Sequence, residues 1–132
     1  MFAVEVQTTF SAAHALRLLP QGQEPLHGHN FHVTVRVAAD HLDELETVVD
    51  FHVLQAGLDA IVGPWKNRNL NEIEPFNAAE NPTAERIAEL IGREMHGLLG
   101  GVAGSAKRHL RVVEVRVMEA SDCTAMWTSG AV

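Results

Sequence analysis

Apolar and polar residues alternate in two stretches near the N-terminus, which is the pattern of strands with one buried face. Residues 4–10 begin Val-Glu-Val-Gln, and residues 31–37 place Phe or Val at every second position. Residues 112–118 repeat the pattern, and residues 125–127 are a weaker fourth candidate. The buried side of the third strand is expected to consist of Val113, Val115 and Val117.

Between the two pairs of strands, apolar residues recur twice at helical spacing. The first helix is predicted to follow Asp50, a suitable N-cap, and to stop at Gly63-Pro64. The second is predicted to start at Asn81-Pro82, with proline in the first helical position, and to end at Gly100-Gly101.

The resulting order is strand, strand, helix, helix, strand, strand. It predicts one α+β domain over residues 1–132, with an antiparallel four-stranded sheet and two helices on one face. A sheet of this size has two open edges, and pairing with other copies would close them. We therefore expect a homo-oligomer.

Composition narrows the classes of partner. The formal net charge of −7 argues against binding nucleic acid or anionic membranes. The chain has one cysteine, no apolar run near the ~20 residues of a membrane span, and no basic signal sequence at its start. These features predict a cytoplasmic protein.

Three of the eight histidines are placed as metal ligands would be. His27 and His29 flank Gly28 at the entry of the second strand, so their side chains point to one face. His14 ends the first strand-like run. Three imidazoles without a fourth protein ligand are typical of a catalytic zinc that keeps one position open. The other histidines, including His52 and His109, are interpreted as non-ligands.

Several motifs resemble the 6-pyruvoyltetrahydropterin synthase / 6-carboxytetrahydropterin synthase family. They are Phe10-Ser11-Ala12-Ala13-His14, Leu26-His27-Gly28-His29-Asn30, Leu70-Asn71, Asn81-Pro82-Thr83 and Val117-Met118-Glu119. The resemblance implies the tunnelling fold, in which trimers form a strand barrel and two trimers stack into a hexamer. It also implies that His14, His27 and His29 bind Zn²⁺ and that Glu119 binds the pterin ring of the substrate.

The sequence departs from this family at the residues that transfer protons. The usual catalytic cysteine is replaced by Gln23, and the usual Asp-His pair by Lys66-Asn67. Residues 24–27, Glu-Pro-Leu-His, instead resemble a branch in which a glutamate replaces the cysteine. That branch cleaves dihydroneopterin triphosphate to 6-hydroxymethyl-dihydropterin, so Glu24 is the candidate general base.

Other interpretations stay open. The chain could instead make 6-pyruvoyl- or 6-carboxy-tetrahydropterin, or bind a pterin or purine without turnover. A cupin is disfavoured, because no glutamate follows the histidine pair closely and two helices are predicted. Lys66 or Arg68 could meet a substrate phosphate or be solvated. Cys123 could be a small apolar residue or a displaced nucleophile.

Overall fold

The computed structural model describes residues 1–130 and confirms an α+β fold. The strands are β1 (Phe2–His14), β2 (His27–Ala39), β3 (Arg68–Asn69), β4 (Arg111–Ala120) and β5 (Cys123–Thr128). The helices are α1 (Phe51–Val62), α2 (Ala84–Leu99) and the single turn α3 (Ser105–Arg108), with 3₁₀ segments at Gly63–Trp65 and Leu70–Glu72.

The sheet has the order β3-β1-β2-β4-β5, so the expectation of four strands was one strand short. The additional strand is β3, which pairs in parallel with Ala12 and Ala13 of β1. A strand of two residues has no periodicity that a sequence pattern could reveal. The other neighbouring strands pair antiparallel, as expected.

Both long helices begin where a side chain caps them. Asp50 accepts a hydrogen bond from the backbone N–H of His52, which confirms the predicted start of α1. For α2 the N-cap is Thr83, whose hydroxyl accepts from the N–H of Arg86. The prediction that Pro82 is the first helical residue was therefore wrong, because Pro82 precedes the cap.

One face of the sheet is apolar and lies under the two long helices. On β2 the predicted inward residues are fully buried, and on β4 the buried residues include Val112, Val115 and Val117. Val113 was expected to be one of them but is only half-buried. The cause is an irregularity in register between Arg36 and Val37 of β2, which adds a residue to β4 and changes which side chains face inward.

The opposite face of the sheet is polar and exposed along β1 and β2. Its central feature is Arg36, which donates to Glu5 at 2.9 and 2.7 Å and lies 3.9 Å from Glu114. Within residues 1–130, no helix is both long and apolar enough to span a membrane.

Candidate metal centre

The strand register brings the three predicted histidines together at one end of the sheet. His14, the last residue of β1, pairs with His27, the first residue of β2. His29 lies two residues further along β2 and therefore on the same face. Glu119, near the end of β4, lies at a second irregularity, where the pairing with β5 shifts between Met118 and Ala120.

Their side chains converge closely. The ring centroids of His14 and His27 are 4.7 Å apart, those of His27 and His29 4.8 Å, and those of His14 and His29 5.2 Å. Glu119 Oε1 lies 2.9 Å from His14 Nε2 and 3.4 Å from His29 Nε2. One ligand atom from each of the four residues lies within 4.8 Å of the others, as a metal site requires.

Hydrogen bonds to the backbone orient two of the rings. The Nδ1 of His14 is 2.7 Å from the carbonyl oxygen of Pro82, and the Nδ1 of His27 is 2.8 Å from that of Pro25. A carbonyl only accepts, so each Nδ1 must carry the proton, and each Nε2 of a neutral ring keeps its lone pair. Such second-sphere bonds are the usual means of fixing a metal-binding histidine.

The Nε2 atoms of His14 and His29 are buried, and neither has a hydrogen-bond partner among residues 1–130. Burial lowers the pKa of His29; the charge of Glu119 opposes this, and the nearby His14 and His27 add to it. A neutral imidazole is the form that binds a metal. The donor set of three imidazoles and one carboxylate fits Zn²⁺.

The loop that follows β1 is held by two asparagines whose role the sequence pattern did not reveal. Asn71 accepts from the N–H of Ala15 and donates to its carbonyl, at 2.8 and 2.7 Å. Asn81 makes the same pair of bonds with Arg17, at 2.8 and 3.0 Å. These bonds fix the chain just after His14. Both residues belong to the family motifs, and that membership was the only feature of the sequence that indicated a role for them.

Glu24 lies at the margin of the histidine cluster. Its Oε1 is 3.8 Å from His27 Nε2 and accepts a hydrogen bond of 2.9 Å from the backbone N–H of Leu16. The backbone N–H of Glu24 in turn donates to the carbonyl of Leu16 at 3.0 Å. The carboxylate is thus held in place beside the cluster while its side chain stays 30% exposed.

The remaining candidates lie outside the group of four residues that could hold a metal. Arg68 lines a polar groove with Asn30 and Gly28, and Lys66 is exposed on the same loop. Cys123 is exposed at the start of β5. A hydrogen bond to Asp122 and the charge of that carboxylate raise the pKa of the Cys123 thiol, which disfavours the thiolate that a nucleophile needs.

The chain is similar to known proteins in both sequence and fold. Residues 3–129 match the family model for 6-pyruvoyl tetrahydropterin synthase. Over 96 residues the chain is 36% identical to the 6-carboxy-5,6,7,8-tetrahydropterin synthase of Synechocystis, covering 69% of this chain and 72% of that protein.

Two solved structures show the same fold. The 6-pyruvoyl tetrahydropterin synthase of Caenorhabditis elegans has a TM-score of 0.79 and 18% identity, covering 97% of this chain and 95% of that one. A Plasmodium vivax 6-pyruvoyltetrahydropterin synthase with a catalytic glutamate changed to alanine has a TM-score of 0.71 and 16% identity, covering 96% and 98%. The chain therefore belongs to the 6-pyruvoyl tetrahydropterin synthase family, whose members are lyases of pterin biosynthesis.

Proposed function

We propose that this protein is a zinc-dependent lyase that cleaves the side chain of dihydroneopterin triphosphate, or a related dihydropterin, to give 6-hydroxymethyl-dihydropterin. The observation that carries the proposal is the convergence of His14, His27 and His29 with a carboxylate held beside them. Bound there, Zn²⁺ would supply Lewis acidity toward the hydroxyl groups of the substrate side chain. His14, His27 and His29 would hold it.

Glu24 is the proposed general base, which takes a proton from a substrate hydroxyl. Its position supports this role, because it is fixed by Leu16, partly exposed and 3.8 Å from a proposed metal ligand. The family's usual cysteine position is Gln23, which cannot act as a base. A glutamate is also described as a catalytic residue in the Plasmodium vivax relative, where alanine and cysteine variants of it have been solved.

Other residues are proposed to bind the substrate. The Glu119 carboxylate can accept two hydrogen bonds side by side, and a pterin ring offers an amide N–H next to an exocyclic amine. Arg68 and Lys66 are exposed cations near the end of β1, suited to the phosphates of a triphosphate.

A second candidate product is 6-carboxytetrahydropterin. The observation that favours it is the 36% identity to the Synechocystis enzyme of that name, which is far higher than the identity to the solved 6-pyruvoyl enzymes. The absence of the cysteine and of the Asp-His pair from the sequence favours the side-chain cleavage instead.

The test is to incubate zinc-loaded protein with dihydroneopterin triphosphate and to identify the pterin product by mass. Side-chain cleavage predicts 6-hydroxymethyl-dihydropterin, and Glu24→Gln should lower its rate by about 10²- to 10⁴-fold. Glu94 is an exposed carboxylate on α2, so Glu94→Gln is the matched control and should keep the wild-type rate. A 6-carboxy or 6-pyruvoyl product, or binding without turnover, would contradict the proposed reaction.

We also propose that copies of the chain assemble through the sheet edges into a hexamer of two trimers. β3 pairs only with Ala12 and Ala13, so the outer edge of β1 is open over most of its length. β5 forms the other open edge of the sheet. Light scattering coupled to gel filtration should give six times the chain mass of 14.4 kDa. A monomer would contradict the proposed assembly.

A further inference from the structure

The Glu119 carboxylate occupies the place where a fourth metal ligand would be. In a tetrahedral zinc site with ligands at about 2.0–2.1 Å, neighbouring ligand atoms are about 3.3–3.4 Å apart. Glu119 Oε1 is 2.9 Å from His14 Nε2 and 3.4 Å from His29 Nε2. The separation from His29 equals an edge of such a tetrahedron, and the separation from His14 is about 0.4 Å shorter than one.

These two short contacts are not hydrogen bonds. The Nε2 atoms of His14 and His29 are buried, yet neither meets hydrogen-bond geometry with any group in the described part of the chain, Glu119 included. The Nδ1 of His14 carries a proton, so in the neutral ring, the form that binds a metal, its Nε2 offers a lone pair and not an N–H. A lone pair beside a carboxylate oxygen is repulsive unless a cation lies between them, and a metal ion would be that cation.

We propose that Glu119 is the fourth protein ligand of the resting metal centre, and that substrate must displace it in order to reach the metal. This inference rests on the proposed metal centre and goes beyond it. Three histidines alone would leave an open position, whereas three histidines and Glu119 form a closed site until substrate arrives. Once displaced, the carboxylate is free to accept hydrogen bonds from the pterin ring.

Metal affinity and coordination test the inference without relying on turnover. The dissociation constants of Zn²⁺ and Co²⁺ are measured by competition with a chelator for wild type and Glu119→Gln. We expect the substitution to weaken binding of both metals by at least about tenfold, since removal of a second-sphere partner alone costs 10- to 100-fold. Wild-type and variant Co²⁺ proteins should also differ in visible absorption, because water replaces a carboxylate.

Two matched substitutions separate ligation from simple charge. Glu24 also lies near a proposed ligand, at 3.8 Å from His27 Nε2, so Glu24→Gln removes a nearby negative charge without removing a ligand. Glu114→Gln removes a carboxylate from the same strand, β4, that pairs with Arg116 and Arg36. We expect both variants to keep the wild-type Co²⁺ spectrum.

Exogenous azide provides the second readout. Azide should alter the Co²⁺ spectrum of Glu119→Gln at concentrations that leave the wild-type spectrum unchanged. In the variant azide has only a water molecule to displace from the metal, whereas in the wild type it must displace the Glu119 carboxylate. An unchanged spectrum and affinity in Glu119→Gln, or equal effects of Glu119→Gln and Glu24→Gln, would overturn the inference while leaving a three-histidine centre intact. If wild type bound neither metal, the proposed zinc function itself would fail. Thermal unfolding of the metal-free variants checks that each is folded.

Discussion

The molecule carries two clusters of histidine and acidic residues at opposite ends of the same pair of strands, β2 and β4. At one end are His14, His27, His29 and Glu119. At the other end, Arg111 at the start of β4 donates to Asp40 at 3.1 Å and to the carbonyl of His109 at 2.7 Å. Composition alone would not distinguish the two.

The difference lies in which polar groups have partners. At the far end, Asp40 contacts Arg111 and lies 3.4 Å from the ring of His109, so the opposite charges there are paired. The Nε of Arg111 is also buried without a hydrogen bond within residues 1–130, but it is an N–H donor and cannot bind a metal. At the metal-centre end, the buried Nε2 atoms of His14 and His29 lack hydrogen bonds within residues 1–130 and belong to a group of ligand atoms that lie within 4.8 Å of one another. Buried polar atoms are normally hydrogen-bonded, so two unpartnered imidazole nitrogens beside a carboxylate, each able to offer a lone pair, indicate a metal site. Matched charges indicate a role in stability.

The largest expected effect is on metal binding. His14→Ala removes a buried proposed ligand, and its zinc affinity should fall by more than the roughly 100-fold upper range for loss of a second-sphere partner. His109→Ala removes a histidine from the far cluster and is the matched control. The comparison fails if chelator competition gives both variants the same loss of affinity.

Arg111→Ala is expected to show the converse behaviour. Arg111 is only 2% exposed, so truncation leaves a cavity and unpairs the carbonyl of His109. We expect the free energy of unfolding to fall by about 2–4 kcal/mol, measured by urea denaturation. Zinc affinity should be unchanged. A variant of wild-type stability, or one that loses zinc, would contradict the assignment of a purely stabilising role.

Asn71→Ala tests whether the metal-centre end also depends on its supporting loop. The substitution leaves both backbone groups of Ala15 without their partner, and Ala15 is fully buried. A loss of about 1–3 kcal/mol in the free energy of unfolding is expected. Because Ala15 follows His14, zinc affinity should fall as well. Loss of stability with unchanged affinity would show that the loop does not position His14.

The sequence predicted the elements with regular periodicity and missed those without it. Alternation identified β1 and β2, and the same parity placed His27 and His29 on one face. It could not reveal β3, which has two residues, or the irregularities in β4, which depend on pairing with β2 and β5. For the same reason the inward residues of β4 were partly misassigned.

Contacts between distant segments of the chain also could not be predicted from the sequence pattern. The bonds from Asn71 and Asn81 to the loop after β1 join residues more than fifty positions apart, and no local pattern encodes them. Glu119 was selected as a substrate residue only through the family resemblance. Its contact with His14 follows from the register of three strands, which the sequence pattern does not determine.

The smallest expected effect is a difference in how the two ends respond to pH in the metal-free protein. Burial holds the pKa of His29 below its usual value, so the unfolded chain takes up a proton near pH 6.5 that the folded protein resists. Stability should therefore decline as pH falls below about 6.5, until the folded pKa is passed. His29→Gln should remove this slope.

Asp40 should act in a separate and lower pH range. Partial burial would raise the pKa of its carboxyl, but the hydrogen bond and charge of Arg111, with His109, hold it below the usual value. The stabilising effect is then complete above about pH 3.9 and is lost as pH falls through the folded pKa. Urea denaturation across both ranges should show Asp40→Asn flattening only the lower slope. If Asp40→Asn instead removed the slope near pH 6, the two clusters would be coupled, and the distinction between a metal-binding end and a stabilising end would not hold.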